Sequence, residues 1–330
     1  MFRPFVKQHL YFAKELNEMQ YQLNTIFYDE KRKSPLIAVL SMASANELSC
    51  LCTDKIFDAG LLKKGNGMTT SFPLYRFTDD GTRVENITDW GLEQFRKKYA
   101  TNAPVIARNP EGITKQSAKK GKDRLLRDET VRNDDEERLP RVLPDARNDI
   151  SKENIFHYVY AVLHNPAYRK KYEINLKREF PRIPLYNDFW QWSTWGKQLM
   201  DLHVNYEKAK PWNLPKVTSE TDKNLRKVTR KVTPKPKLKA DKDNGVIIID
   251  DETTLTGIPK EAWEYKLGNR SALEWVLDQY KESTPSDPTI AEKFNTYKFA
   301  DYKKEVIELL KKVCTVSVET MKVICEMEKK

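Results

Sequence analysis

The sequence has little of what marks secreted, membrane-spanning or metal-binding proteins. No apolar run approaches the roughly 20 residues that a membrane-spanning helix needs. The start MFRPFVKQHLYF lacks the basic region, apolar stretch and cleavage site of a secretory signal. Only four cysteines occur, and Cys50 and Cys52 form a C-x-C pair instead of the C-x-x-C or Cys/His spacing usual for zinc. We therefore expect a cytoplasmic protein with reduced thiols and no metal site.

The familiar catalytic signatures are also missing. The sequence has neither an H-E-x-x-H metalloprotease motif nor a G-x-S-x-G nucleophile elbow. The stretch GLLKKGNGMTT at 60–70 superficially resembles a phosphate-binding loop, but it lacks the Gly-Lys-Ser/Thr core. His157 and His164 lie on an apolar segment and are better explained as core or surface histidines than as ligands. No catalytic residue can be assigned from the sequence.

Positive charge is in excess, with 58 basic against 48 acidic residues and a net charge of +10. Such an excess favours polyanionic partners, either nucleic acid or an anionic membrane surface, although plain solubility would also explain it. The apolar fraction of 39% is high enough for a folded chain with a real core. The position of the charges must therefore decide between these explanations.

The succession of apolar patterns predicts an α+β fold, with a mixed β-region, long central helices and a helical C-terminal part. We expect a helix from Val6 to about Leu23, a helix that begins at the N-cap Ser151 with Glu153 in its first turn, and another that begins at the capping-box sequence of Ser271 with Glu274. The remaining expected elements are strands within 34–42 and 47–57, a helix at 87–100, a hairpin at 244–258 and one or two amphipathic helices at 299–329.

Composition divides the chain into four regions. The stretch at 107–147 is charged, nearly free of aromatic residues and interrupted by prolines, so it cannot bury enough apolar area to offset its ordering entropy. We expect a folded N-terminal part at 1–102, a charged flexible insertion at 103–148, central helices and a β-hairpin at 149–258, and a helical part at 259–330.

The segment FHYVYAVLHNPAYRKKYEINLKREFPRIPL at 156–185 changes from apolar to basic and ends between two prolines. Pro166 is expected to interrupt the first helix or to start a second one that runs to about Phe180, and Pro181 and Pro184 should fix an extended exit. Helical spacing does not put the cations in one stripe. They are either a solvated face or phosphate contacts. They are interleaved with aromatic residues that suit a nucleic-acid surface, namely Tyr168, Tyr172, Phe180 and Tyr186. The candidates for DNA binding here are Arg169, Lys170, Lys171, Lys177, Arg178 and Arg182.

A second basic stretch lies at 208–245, where VTRKVTPKPKLKA alternates β-branched and basic residues. This pattern suits a strand that faces an anion. The candidates for DNA binding here are Arg226, Lys227, Arg230 and Lys231.

Several segments, in the same order, resemble one known family. They are FRPFVKQHLYF, TTSFPLYRF, the basic segment at 156–185, LTGIPKEAWEYKLGNRSALEWVLDQYKE and FNTYKFADYKKEVIELLKKVCTVSVETM. Together they resemble the C-terminal specificity region of Type ISP restriction–modification enzymes, which are single-chain bacterial enzymes of phage defence. The resemblance spans nearly the whole chain except about 103–148, and it implies that Met1 lies just past a catalytic core.

The resemblance implies recognition of a double-stranded DNA target. In that family a nuclease, a helicase-like ATPase and an adenine methyltransferase precede the region, so S-adenosylmethionine, ATP and Mg belong to a partner chain or to missing domains. This sequence has no Asn-Pro-Pro-Tyr methylation motif, and HNPAY at 164–168 is not an equivalent. We expect no cofactor on this chain and base-reading residues within about 60–85 and 216–256. Two alternatives stay open: a portion that completes a catalytic methyltransferase chain, and a basic protein-interaction scaffold.

Overall fold

The structure is a computed structural model that describes residues 1–17, 19–40, 47–62, 68–100, 150–218, 234–293 and 295–330. Its helices are α1 Leu23–Ile26, α2 Asp89–Ala100, α3 Lys152–His164, α4 Pro166–Lys171, α5 Glu173–Leu176, α6 Phe189–Val204, α7 Lys260–Glu264, α8 Ala272–Gln279, α9 Pro288–Lys293 and α10 Phe299–Glu328. Its strands are β1 Leu36–Leu40, β2 Cys50–Thr53, β3 Thr69–Pro73, β4 Tyr75–Phe77, β5 Arg83–Glu85, β6 Lys216–Thr218, β7 Pro236–Asp241, β8 Val246–Asp250, β9 Thr253–Leu255, β10 Lys266–Leu267 and β11 Arg270–Ser271. The predicted α+β class is confirmed.

A three-stranded antiparallel sheet in the order β2-β1-β3 separates two hydrophobic clusters. On the central strand β1, Leu36 and Ala38 belong to one cluster, whereas Ile37 and Val39 belong to the other. Successive side chains of a strand point to opposite faces, so a strand that is covered on both faces is apolar at every position. This explains why LIAVL is a continuous apolar run.

The second sheet has the antiparallel order β6-β9-β8-β7 and contains the predicted hairpin at 244–258. Asp250 ends β8, and its buried carboxylate accepts the main-chain N–H of Thr253 at 2.8 Å. The same carboxylate forms an ion pair of 2.5 Å with Lys303 of α10. This pair ties the turn between β8 and β9 to the long C-terminal helix.

Helices α3 and α6 approach each other closely because α6 carries a glycine at the contact. A Cβ atom added to Gly196 would lie only 1.7 Å from the main-chain oxygen of His157. No side chain can occupy that position without separating the two helices. The aromatic residues of this helix pair, including Tyr158 and Trp192, form the second cluster together with Ile37 and Val39.

A buried polar chain connects β2, α3, α6 and α10. The Tyr160 hydroxyl accepts the main-chain N–H of Cys52 at 2.8 Å and donates to His203 Nδ1 at 2.5 Å. The other ring nitrogen, Nε2, then donates to the Thr320 hydroxyl at 2.9 Å, which fixes the neutral tautomer. Burial lowers the pKa of His203 to about 3. The ring is therefore a neutral connector of four elements at physiological pH.

Two sequence expectations about helices are wrong. The expected helix from Val6 to about Leu23 is absent, and residues 14–16 form only a single 3₁₀ turn. A positive φ angle at Tyr21 interrupts the expected range, and Phe5, directly before that range, also has a positive φ angle and is fully buried as an anchor in the first cluster. The expected helix from Pro166 to Phe180 is broken at Tyr172, which has φ −109° and ψ 18°.

Other local predictions are confirmed. Ser151 caps α3, and Ser271 with Glu274 forms the reciprocal capping box of α8. A single helix, α10, occupies the C-terminal stretch at 299–329. The predicted flexible insertion at 103–148 lies outside the described residues, and the four-region division stays a prediction. Within the described residues, no helix combines the length and the apolar character needed to cross a membrane.

Candidate nucleic-acid interface

The basic segment leaves the core at the end of α3 and is folded back onto it. Asn165 caps α4 by accepting a main-chain N–H at 2.9 Å, and Pro166 occupies the first helical position, as predicted. Tyr168 points inward and is only 1% exposed. Its hydroxyl donates to the main-chain oxygen of Arg182 at 3.0 Å, so the chain returns to α4 after α5.

Three tyrosine hydroxyls, which we call the tyrosine clamp, hold the extended backbone that follows. Besides Tyr168, the clamp contains Tyr158, whose hydroxyl donates to the oxygen of Pro184 at 2.8 Å and accepts the N–H of Tyr186 at 2.7 Å. Tyr99 donates to the oxygen of Tyr186 at 2.6 Å. Burial raises the pKa of Tyr168 to about 12 and raises the pKa of Tyr158 further, so all these hydroxyls stay protonated donors. The clamp fixes the backbone in addition to the prolines.

Arg169 differs from the other described candidates because its side chain points toward the core. Its Nε donates to the main-chain oxygen of Leu163 at 2.6 Å, and its Nη2 lies 3.7 Å from Cys50 Sγ. Burial raises the pKa of the Cys50 thiol to about 11, so this sulfur is a neutral neighbour of the guanidinium group. The side chain therefore fastens α4 to the end of α3, and contact of Arg169 with phosphate stays a prediction.

The other five predicted cations of this segment differ in how they are paired. Lys177 forms an ion pair with Glu173 at 2.7 Å, and Arg182 forms one with Glu179 at 2.8 Å. Both pairs are solvent-exposed, so they contribute little to stability and can be exchanged for other anions. The cations without an acidic partner among the described residues are Lys170, Lys171 and Arg178, and all three are exposed.

The aromatic residues of the segment do not all lie on the surface. The expected nucleic-acid surface included Tyr168, which is wrong because this ring is buried. Lys171 lies over the ring of Tyr172 at 5.3 Å, and Tyr186 stacks on Trp192 at 4.7 Å. Phe180 is the aromatic residue of this segment that is most exposed, at 45%.

The four predicted DNA-binding residues of the second basic stretch, Arg226, Lys227, Arg230 and Lys231, lie outside the described residues. The described continuation is the edge strand β7 and the residue before it. Lys235, Lys237 and Lys239 alternate along this stretch and are exposed, and Lys237 pairs with Asp251 at 2.9 Å. Lysines on an edge strand also discourage pairing with another sheet, so this row has a structural explanation as well.

A cleft of about 330 Å³ lies between the start of β2, α4, β10 and α10. It is lined by three basic residues and three acidic ones, which are Arg169, Lys170, Lys266, Glu47, Glu173 and Glu264. This balance of charge does not select an anion. Among the residues that the structure describes, no group of three or more His, Cys, Asp or Glu side chains is arranged to hold a metal ion.

Comparison with known proteins supplies independent findings. Residues 1–309 match the family described as the Type ISP C-terminal specificity domain. A comparison with curated proteins gave no match. Among solved structures, the chain is similar to the cryo-EM structure of a DrdV–DNA complex, with a TM-score of 0.77 and 41% identity over 98% of this chain and 28% of that chain.

Two Type ISP restriction–modification enzymes have a similar fold. One is a nuclease-deletion mutant of LlaGI in complex with a DNA substrate mimic, with a TM-score of 0.64, 26% identity, and coverage of 99% of this chain and 24% of that chain. The other is the ATP-dependent enzyme LlaBIII bound to DNA, with a TM-score of 0.66, 23% identity and coverage of 99% and 18%. At that identity LlaBIII supports the fold alone. The chain spans between 18% and 28% of the length of these structures. The match over residues 1–309 shows that the chain belongs to the family of Type ISP C-terminal specificity domains.

Proposed function

We propose that the chain recognises a specific sequence in double-stranded DNA as the specificity module of a restriction–modification system. The observation that carries this proposal is the family match, supported by a similar structure at 41% identity that was solved in complex with DNA. The net charge of +10 and the exposed cations without acidic partners agree with a polyanionic ligand. A cytoplasmic location follows from this role.

The basic segment supplies the backbone contacts in this proposal. Lys170, Lys171 and Arg178 are available to bind phosphate without first releasing a carboxylate. Lys177 and Arg182 exchange their glutamate partners for phosphate groups, which costs little because both ion pairs are exposed. Phosphate contacts fix register and affinity but carry no sequence information, so base readout requires other residues. We place these within 60–85 and 216–256, as the sequence predicts.

The second basic stretch is the main alternative surface. The exposed lysines around β7 continue directly from the candidates Arg226, Lys227, Arg230 and Lys231. Both surfaces can contact one duplex, or the second can replace the first. Separate substitutions in the two surfaces distinguish these arrangements.

Catalysis is assigned to other parts of the system. The matched part makes up only 18% to 28% of each similar chain, and the sequence contains no methylation or Walker motif. S-adenosylmethionine, ATP and Mg would accordingly bind outside this chain. A purified chain that transfers a labelled methyl group to DNA by itself would favour the alternative in which it forms part of the methyltransferase.

The decisive experiment is a salt titration of duplex binding. Random 24-base-pair duplexes are selected with the purified chain, and the affinity of the recovered duplex is measured between 50 and 200 mM salt, which are on the order of the concentrations where counterion release is resolved. We expect the logarithm of the binding constant to fall linearly, by about 0.9 per phosphate that is neutralised. A chain with no affinity for any duplex would contradict the proposal and favour an interaction scaffold.

Two triple variants locate the contacts. Replacing Lys170, Lys171 and Arg178 by alanine should lower the salt slope by up to about 2.7 and weaken binding to all sequences alike. A matched control removes the same charge from the exposed residues Lys293, Lys304 and Lys329 and should leave the slope near that of the wild type. If only a triple variant around β7, with Lys235, Lys237 and Lys239 replaced, changes the slope, the second surface is the interface.

A further inference from the structure

Two phenylalanine rings that are distant in sequence form an exposed pair beside the basic segment. Phe72 of β3 and Phe180 meet edge to face, with ring centroids 5.6 Å apart and an interplanar angle of 87°. Phe72 is 39% exposed and Phe180 is 45% exposed. Isolated exposed apolar residues are common on protein surfaces, so the surroundings of the pair decide whether it has a function.

The position of Phe72 explains why its ring is accessible. It lies directly opposite Ile37 across the β1–β3 ladder, so both side chains are on the same face of the sheet. Ile37 is buried because β1 is the central strand, whereas β3 is an edge strand with no outer neighbour among the residues that the structure describes. Phe180 therefore covers Phe72 in part and is itself supported by it.

The surroundings of Phe180 are charged and fixed, and the adjacent Glu179 forms an ion pair with Arg182 at 2.8 Å. Arg178 and Arg182 lie two residues before and after it, Arg178 has no acidic partner in the described parts of the chain, and the Arg182 side chain is 87% exposed. The oxygen of Arg182 is held by Tyr168, a member of the tyrosine clamp.

Apolar side chains flanked by cations are the combination that DNA-bending proteins use. The cations bind phosphates on either side while the apolar ring enters between two base pairs and partly unstacks them. We propose that Phe180, supported by Phe72, is such a wedge, and that Arg178 and Arg182 bind the phosphates that flank the opened base step. This inference rests on the proposed DNA recognition. In this proposal, part of the preference for a DNA sequence comes from how easily the opened base-pair step deforms. Pyrimidine–purine steps unstack most easily.

The test uses 2-aminopurine, a base whose fluorescence rises when it is unstacked. The 24-base-pair duplex selected by the wild-type chain carries it at each position in turn. We expect wild-type protein to brighten the probe at one step. Phe180→Ala should abolish this rise and lower affinity by roughly tenfold, the range of an apolar contact of this size, while the salt slope stays unchanged. Phe72→Ala should give a smaller loss of both signals.

Trp90→Ala is the matched control, because this ring is 74% exposed on α2 beside Asp89 and has no flanking arginine. Its affinity and fluorescence profile should equal those of the wild type. Phe180→Leu keeps an apolar side chain and should retain part of the rise in 2-aminopurine fluorescence. Thermal melts of each variant show whether it is folded. If the wild type binds with a steep salt dependence but brightens no position, or if Phe180→Ala matches Trp90→Ala, the wedge is refuted and DNA recognition stands. Failure of the wild type to bind any duplex refutes both.

Discussion

Replacing Tyr158 by phenylalanine tests whether the tyrosine clamp, and not proline alone, fixes the extended backbone after the basic segment. The substitution removes one oxygen atom and leaves the ring in the second cluster. That oxygen serves two main-chain groups, the oxygen of Pro184 at 2.8 Å and the N–H of Tyr186 at 2.7 Å. If proline rigidity were sufficient, the extended backbone would keep its conformation without it.

The expected loss of stability follows from these two orphaned groups. A buried donor or acceptor left without a partner costs about 1–3 kcal/mol. Both groups are only partly buried, so water can satisfy each in part, and we expect a total loss of about 2 kcal/mol. Tyr99 keeps its bond of 2.6 Å to the oxygen of Tyr186, so the segment should loosen without detaching.

Urea denaturation measures the loss, and amide hydrogen exchange at Tyr186 locates it. The matched control is Tyr302→Phe, because that ring is 45% exposed on α10, and it should change stability by less than about 0.5 kcal/mol. Unchanged protection of the Tyr186 amide in Tyr158→Phe would refute the clamp. An equal loss in the two variants would show that the effect is not specific to this segment.

Three further predictions concern the scaffold. Gly196→Ala should destabilise the chain by more than about 3 kcal/mol in the same urea assay, because the added Cβ would meet a main-chain oxygen of α3. The control is Gly91→Ala, whose added Cβ has its nearest contact at 3.4 Å and which should be neutral or stabilising. Burial lowers the pKa of His203 to about 3, so below pH 6.5 the unfolded state binds more protons than the folded state. The free energy of unfolding should therefore fall by about 2 kcal/mol between pH 7 and pH 5 because of this group. A free energy of unfolding that stays constant over this range would contradict the prediction. Lys303→Met should cost about 3 kcal/mol by leaving a buried carboxylate unpaired, and an equal effect of the exposed control Lys304→Met would contradict that account.

The sequence was sufficient wherever the signal is local. The N-cap at Ser151, the capping box at Ser271, the hairpin at 244–258 and the restart of the helix at Pro166 all depend on local sequence, and the structure confirms them. The amphipathic pattern at 299–329 likewise predicts α10, in which helical spacing places Val306 and Leu310 on one side. Local physics decides each of these elements.

The failures all involve contacts between distant residues. Phe5 and Val6 suit a helix by composition, but they are buried as separate anchors among residues far along the chain. The helix breaks at Tyr172, where the sequence has no glycine or proline that would predict a break. The chain returns to α4 through a hydrogen bond between Tyr168 and Arg182, which are fourteen residues apart. The exposure of Phe72 depends on strand order, which a single sequence does not reveal.

These long-range contacts connect the basic segment to the hydrophobic core. In the sequence, its apolar first half and its basic second half seem to have separate roles. In the structure, Tyr158 of the apolar half hydrogen-bonds the backbone of Pro184 and Tyr186, which follows the basic half. A tyrosine has an apolar body that packs in a core and a polar tip that can hold an outer segment. The second cluster therefore positions Phe180 and Arg182, and any change that loosens α3 against α6 should weaken DNA binding without removing a single cation. Recognition by this domain would then depend on the packing of its core as much as on its charge.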